Sequence, residues 1–168
     1  MESWKLHKSN DKANRANYRP ITILNTLSKL AERHVNTHLY NFLNTRNLLY
    51  ILQSGFRTLH SCETALLQLT SDWLKAMNDG EISGVILLDL RKAFDLVDHN
   101  ILLRKLELYG CDDSSTKWFT SFLKGRTQYV KFQNSKSNQR EVKVGVPQGS
   151  ILGPTLFVLC ANDLHLPF

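Results

Sequence analysis

Apolar residues recur at helical spacing from Thr26 to about Asn47: Leu27, Leu30, Ala31, Val35, Leu39, Phe42 and Leu43. Spacings of three and four line one face of a helix, and this is the clearest element in the chain. A second helical pattern follows Ser61, whose hydroxyl suits an N-cap, with Glu63 in the first turn. It reaches about Asn78, carries Ala65, Leu66, Leu69, Trp73 and Met77 on its apolar face, and stops at Asp79-Gly80. Val85 to Leu88 is then an unbroken aliphatic run. It predicts a strand buried on both faces that delivers Asp89 at its end. Asp98 caps a third helix, from about His99 to Tyr109, with Ile101, Leu102, Leu106 and Tyr109 inward and Gly110 as its stop. A fourth starts between Asp112 and Ser115, turns Trp118, Phe119, Phe122 and Leu123 inward, and stops at Gly125. Gln128 to Phe132 and Glu141 to Val144 alternate, which predicts a hairpin across a polar loop. After Gly145-Val146-Pro147-Gln148-Gly149-Ser150 comes a last apolar helix, about Leu152 to Ala161.

The start of the chain lacks such a pattern. Met1 to Asn17 is polar and reads as a frayed end. Pro20 biases Arg19 towards an extended backbone, at the opening of a short apolar stretch from Ile21 to Leu24. Gln53 to Arg57 is a loop. The elements make a helix-rich α/β fold with a small sheet and a β-hairpin. At 168 residues the chain is one domain or part of a larger one, and an apolar content of 42% excludes general disorder.

Cys62, Cys111 and Cys160 form no CxxC pair, so neither a zinc ribbon nor a disulfide framework is indicated; they read as small buried apolar residues. No apolar signal region follows Met1, and no apolar run approaches the roughly 20 residues that span a bilayer, so no membrane partner is expected. The net charge of +6 is uneven. Residues 1–60 hold nine Lys/Arg against three Asp/Glu, and Lys124 to Lys143 holds six basic residues against Glu141. Two basic zones around a neutral middle suit a polyanion such as nucleic acid, with a solvated face as the ordinary alternative.

A carboxylate at the end of a buried strand is costly unless a charge compensates it, and a divalent cation is one such partner. For Asp89 alone, a cap on the following turn remains an equal reading. His34 and His38 stand four apart but have no acidic or Cys companion at a zinc-motif spacing, which favours helix-surface or core-edge histidines. A haloacid-dehalogenase-type site needs a second Asp where Arg91 stands, and no GxxxxGK[ST] loop is present. Metal-assisted phosphoryl transfer on a nucleotide would use the carboxylate after the strand, the Gly/Pro/Gln loop at a helix start, and the arginines in two upstream turns together.

Four ordered motifs carry a resemblance: Asn17-Tyr18-Arg19-Pro20-Ile21; Gly55-Phe56-Arg57 with His60-Ser61; Leu88-Asp89-Leu90-Arg91-Lys92-Ala93-Phe94-Asp95; and Gly145-Val146-Pro147-Gln148-Gly149-Ser150 with Leu152-Gly153-Pro154. In this order they resemble the reverse transcriptases of non-LTR retrotransposons, the Jockey-like group in particular, from about Lys8 to Leu164. The resemblance implies part of a right-hand polymerase, with fingers over residues 1–80 and an incomplete palm over 81–168. It implies RNA-directed DNA polymerase chemistry on an RNA template and DNA primer, with deoxynucleoside triphosphates and a two-ion magnesium centre. Asp89 is then the metal-binding catalytic residue, with the Leu90 carbonyl as an extra ligand. Phe94 matches the ring that excludes a ribose 2′-OH, with an ordinary core Phe as its alternative. Gln148 and Gly149 line the nucleotide and template base. Arg19 meets the triphosphate, with Arg57 as second candidate and Lys8 as a weak third. Asp95 takes a structural hydrogen bond.

The departures are equally specific. Family members continue from a segment like Leu159 to Leu164 to an Asp-Asp pair, and this chain ends first; Asp163 has no Asp neighbour. Where the family has Tyr and Ile, Cys160 and Ala161 stand. The start reads as clipped, without the fingers strand before Lys8. The chain as it stands is therefore expected to be inactive. A non-catalytic nucleic-acid-binding remnant and a decayed transposon copy stay open beside the enzyme reading, as do protein partners and a location in nucleus or cytoplasm.

Overall fold

The computed structural model describes residues 2–7, 11, 17–132 and 135–164. In chain order the elements are β1 (Glu2–His7), β2 (Tyr18–Ile23), α1 (Thr26–Thr45), α2 (Cys62–Asn78), a 3-10 turn (Ala93–Asp95), α3 (His99–Leu108), α4 (Asp113–Leu123), β3 (Thr127–Phe132), β4 (Ser135–Lys136), β5 (Arg140–Glu141) and α5 (Gly153–Ala161). The strands form a small mixed sheet in the order β2-β1-β3-β4, with β5 also on β3. β1 runs antiparallel to β2, Trp4 opposite Ile21, and parallel to β3, Glu2 opposite Tyr129. The start of the chain is therefore a strand, not a frayed end, and a strand does precede Lys8. Its polar sequence hides this, because ladder bonds to two neighbours stabilise β1 without an alternating apolar pattern.

Side-chain caps set the helix starts. Asn25 accepts the Ser28 N–H, Asp98 accepts those of Asn100 and Ile101, and Asp112 accepts that of Ser115. Ser61 and Thr64 form a reciprocal capping box. Each satisfies donors that the first helical turn leaves without a partner.

Four helices share one core. Leu39 and Leu43 of α1, Leu102 and Leu106 of α3, Phe119 and Leu123 of α4, and Leu156 and Leu159 of α5 are buried, as are Leu152 just before α5, Val97 and Val146. Leu27 and Leu30 at the start of α1, and Ile101 on α3, are exposed, and Trp118 on α4 is 37% exposed. The buried side of these helices is thus rotated away from those residues. No residue of α2 is buried; Leu66 and Met77 on its expected inward face are open to solvent. The cap and periodicity make the helix, but no described element covers that face.

The largest correction concerns residues 81–90. They form no strand, and every one is exposed, Ile86 at 88% and Asp89 with it. A strand needs a partner for its N–H and C=O groups, and none of the described strands pairs with this run. The second hairpin arm is Arg140–Glu141, and Val144 instead bridges to Asp98. Cys62 is exposed, whereas Cys111 and Cys160 are half-buried and burial raises both thiols. Among the described residues no helix is long and apolar enough to cross a membrane.

This division of the chain is measurable by chemical denaturation. Leu106→Ala, in the shared core, lowers stability by about 2–5 kcal/mol. Leu67→Ala, 69% exposed on α2, changes it by about 0.5 kcal/mol or less. Equal losses would place α2 in the core.

Candidate functional site

The loop from Gly145 to Ser150 is braced by hydrogen bonds to several distant segments. Its Gly145 N–H donates to Val97 O at 2.7 Å and its Val146 N–H to Phe94 O at 2.8 Å. The buried His99 ring lies with Nε2 2.8 Å from Gly145 O, so that nitrogen carries the proton and donates. Gly145 has φ +88, and a Cβ there would stand 2.8 Å from Asp95 O. Only glycine combines that backbone with so close an approach.

Gln148 projects from the loop towards the 3-10 turn, where its Nε2 donates to Asp95 Oδ1 at 2.7 Å. Its own carbonyl accepts the Thr22 N–H of β2 at 2.9 Å. Gly149 has φ +99, and a Cβ there would approach Thr22 O at 3.1 Å. The strand that carries Arg19 thus runs along the same loop; Arg19 itself pairs with Leu6 in the β1–β2 ladder.

A buried carboxylate ties this loop to α1. Glu32 is 2% exposed, and its Oε2 accepts the N–H groups of Ile151 at 2.8 Å and Leu152 at 3.3 Å. Leu152, the N-cap of α5, offers no side-chain cap of its own, so Glu32 supplies from another helix what a local cap would. Burial pulls the Arg126 guanidinium below its usual range, and the charge of Glu32 opposes that shift. Four residues along α1, Asn36 Oδ1 accepts the Thr155 hydroxyl at 2.6 Å. Ser150 Oγ accepts the Gly153 N–H at 2.8 Å and completes the turn into α5.

Phe94 stands between two other rings. Phe157 of α5 stacks on it with centroids 4.7 Å apart and planes 28° apart; Phe56 meets it edge-on at 5.7 Å. The structure therefore brings Phe94, Asp95, Gln148 and Gly149 together. It does not bring Asp89 and Leu90 to them, which lie on the open chain before the 3-10 turn. Arg57 is half-buried and turned to its own loop, with Nη1 3.1 Å from Tyr50 O. Lys8, Lys12 and Arg15 of the basic N-terminal zone lie outside the described residues.

A divalent ion takes six or more oxygen ligands when calcium-like and near-octahedral geometry when magnesium-like. Among the described residues no three His, Cys, Asp or Glu side chains are grouped to hold an ion. Asp95 is engaged by Gln148, and Asp163 by Lys105. The donors in this arrangement do not fit a two-metal centre by themselves. His34 and His38 sit with ring centroids 4.5 Å apart on the surface of α1.

Three bracing residues escaped the sequence reading: Glu32, His99 and Asn162. Asn162 accepts the Tyr50 N–H, donates to Leu48 O and bonds the Tyr109 hydroxyl, which joins α5 to the end of α1 and to α3. For Glu32 a signal exists: it lies seven and eleven residues before the buried Leu39 and Leu43, on their face of the helix.

The profile of the family described as reverse transcriptase (RNA-dependent DNA polymerase) matches residues 6–168. A probable RNA-directed DNA polymerase from transposon BS of Drosophila melanogaster is 36% identical over 156 residues, which is 89% of this chain and 16% of that protein. The RNA-directed DNA polymerase from mobile element jockey of the same fly is 34% identical over 158 residues, again 89% of this chain and 16% of that protein. A Pol polyprotein from the type-1 retrotransposable element R2 of Popillia japonica is 28% identical over 165 residues, 98% of this chain and 23% of that protein. The chain thus spans less than a quarter of the length of these curated relatives.

Glu32→Ala leaves two buried N–H groups without an acceptor and lowers stability by roughly 2–5 kcal/mol in urea denaturation. Glu32→Gln keeps an acceptor oxygen and costs less than half of that. Wild-type stability for the alanine variant would mean that the carboxylate does not brace α5.

Proposed function

This chain belongs to the reverse transcriptase family, in its non-LTR retrotransposon branch, and from that premise we propose that it forms the nucleotide-side framework of a retrotransposon RNA-directed DNA polymerase. In this reading residues 1–80 are the fingers and 81–168 the beginning of the palm of a right-hand polymerase. The observation that carries it is the braced Gly145–Ser150 loop, with Gln148 bonded to Asp95 beside the Phe94 ring and β2 along its flank. Each family motif in this set has a physical task there.

A loop held by backbone bonds to the Phe94–Val97 segment and to β2, and by the Glu32 carboxylate at its end, presents a rigid edge to a nucleotide or template base; Gly149 lets that loop lie close against Thr22. The Gln148–Asp95 bond fixes the amide so that its position does not have to be ordered when substrate binds. Phe94 is the flat ring under the sugar that leaves no room for a 2′-oxygen. Arg19 is the guanidinium for the triphosphate. Arg57 is the second candidate, and its bond to Tyr50 O must break or be shared for it to reach a phosphate. Magnesium, when bound, supplies charge stabilisation at the phosphates; Asp89 and the Leu90 carbonyl are the ligands this chain would contribute. RNA template, DNA primer and deoxynucleoside triphosphates are the partners.

A second reading, nucleic-acid binding without catalysis, draws on one observation. Lys131, Lys136, Arg140 and Lys143 of the hairpin are all exposed, whereas the described residues hold no grouped carboxylates for an ion.

Two experiments test these readings. With this chain in place of the matching residues of the jockey RNA-directed DNA polymerase, Asp89→Asn lowers nucleotide addition by orders of magnitude while circular dichroism stays unchanged; near-normal turnover would remove Asp89 from the metal site. A polypeptide of these 168 residues alone does not extend a primer with magnesium and all four deoxynucleotides. It binds RNA–DNA duplex weakly, with an affinity that falls as salt rises, because each neutralised phosphate releases counterions. Template-dependent extension lost on Asp89→Ala would contradict this and require further ligands within these residues.

A further inference from the structure

We propose that Phe157 is a specificity-determining positioning residue, whose stacked ring fixes how far the Phe94 ring stands from the sugar of an incoming nucleotide. The inference rests on the reading of Phe94 as the sugar gate. A steric gate discriminates only if it cannot yield. Phe94 sits on a 3-10 turn of three residues entered from Lys92 in a left-handed conformation, φ 56, so the turn alone is a short support. The ring is half-buried and needs a wall behind it.

Phe157 is that wall. It lies within α5 between the buried Leu156 and Val158. The entry to α5 is held by Glu32 and its first turn by the bond from Thr155 to Asn36. Its ring is near-parallel to Phe94 at 4.7 Å, a stacked contact on a rigid helix. Phe56 is a different kind of neighbour. It is 56% exposed, lies on a loop and touches Phe94 only by its edge at 5.7 Å. With Phe157 shortened, the Phe94 ring gains space on its inner side and can tilt into it, away from the sugar. The 2′-oxygen then fits although Phe94 itself is intact. Phe157 contacts no substrate in this account; it acts through Phe94.

The test is single-nucleotide addition by the jockey RNA-directed DNA polymerase with this chain in place of its matching residues, with matched deoxy- and ribonucleotides, for the unsubstituted chain, Phe157→Leu, Phe157→Met, Phe157→Tyr and Phe94→Val. Phe157→Leu lowers the deoxy-to-ribo ratio of kcat/KM by about three- to tenfold, the scale on which one aromatic pair acts. The change appears mainly as a lower KM for the ribonucleotide. Phe157→Tyr, which keeps the ring, restores the ratio. A merely structural role would lower both efficiencies together. If Phe94→Val lowers the ratio while Phe157→Leu and Phe157→Met leave it at the wild-type value, Phe157 is not a positioning residue. If neither Phe157→Leu nor Phe157→Met folds, Phe157 is a core residue and the inference falls. If Phe94→Val leaves the ratio unchanged, the gate reading itself is wrong, and the inference falls with it for that distinct reason.

Discussion

Taking a carboxylate out of water is strongly unfavourable unless its oxygens are given donors. Glu32 is nearly sealed inside the protein, and the Ile151 and Leu152 N–H groups at the start of α5 are donors it receives. Those N–H groups would themselves be unsatisfied at an uncapped helix start. Each side thus depends on the other. The exchange fixes the distance between α1 and α5, and therefore where the loop before α5 must turn. The half-buried Arg126, just before β3, feels the same charge, which opposes the lowering of its guanidinium by burial.

From this anchor the rest of the site follows. The loop leaves β5, is held by Val97, Phe94 and His99, passes β2 at Thr22, and enters α5 at Glu32. Gln148 and Gly149 have little freedom between those points. The 3-10 turn is held in turn, because Asp95 bonds Gln148 and Phe94 lies against α5. Asp89 shares none of this support. The segment is therefore rigid from the loop to the Phe94 ring and open at Asp89. In the proposed reading, the pre-formed part is the one that would hold a nucleotide's sugar and base.

Local signals were the legible part of the fold. Helix starts at Ser61, Asp98 and Asp112 follow from residues that cap their own backbone, and the stripe of α1 from its spacing. Whatever depends on a distant partner was not legible. The aliphatic run at Val85 to Leu88 has a strand's composition, but strand formation is decided by a neighbour's backbone. The polar Glu2 to His7 is a strand for the converse reason, with β2 on one side and β3 on the other. The Gln148–Gly149 loop and the Phe94 turn lie in contiguous motifs, and the structure places the two segments side by side. Glu32, His99 and Asn162 act on residues 46 to 120 positions away; the helical spacing of Glu32 from Leu39 and Leu43 points to its burial, but nothing local names the partner of any of the three.

The central claim, that the Glu32 carboxylate fixes the loop at the start of α5, is tested most directly by native-state amide hydrogen exchange. The account predicts that the Ile151 and Leu152 amides exchange as slowly as those of the core residues Leu106 and Leu156, only through global unfolding, whereas amides from Ile82 to Leu90 exchange at open-chain rates. Fast exchange at Ile151 and Leu152, comparable to that of Ile86, would contradict it.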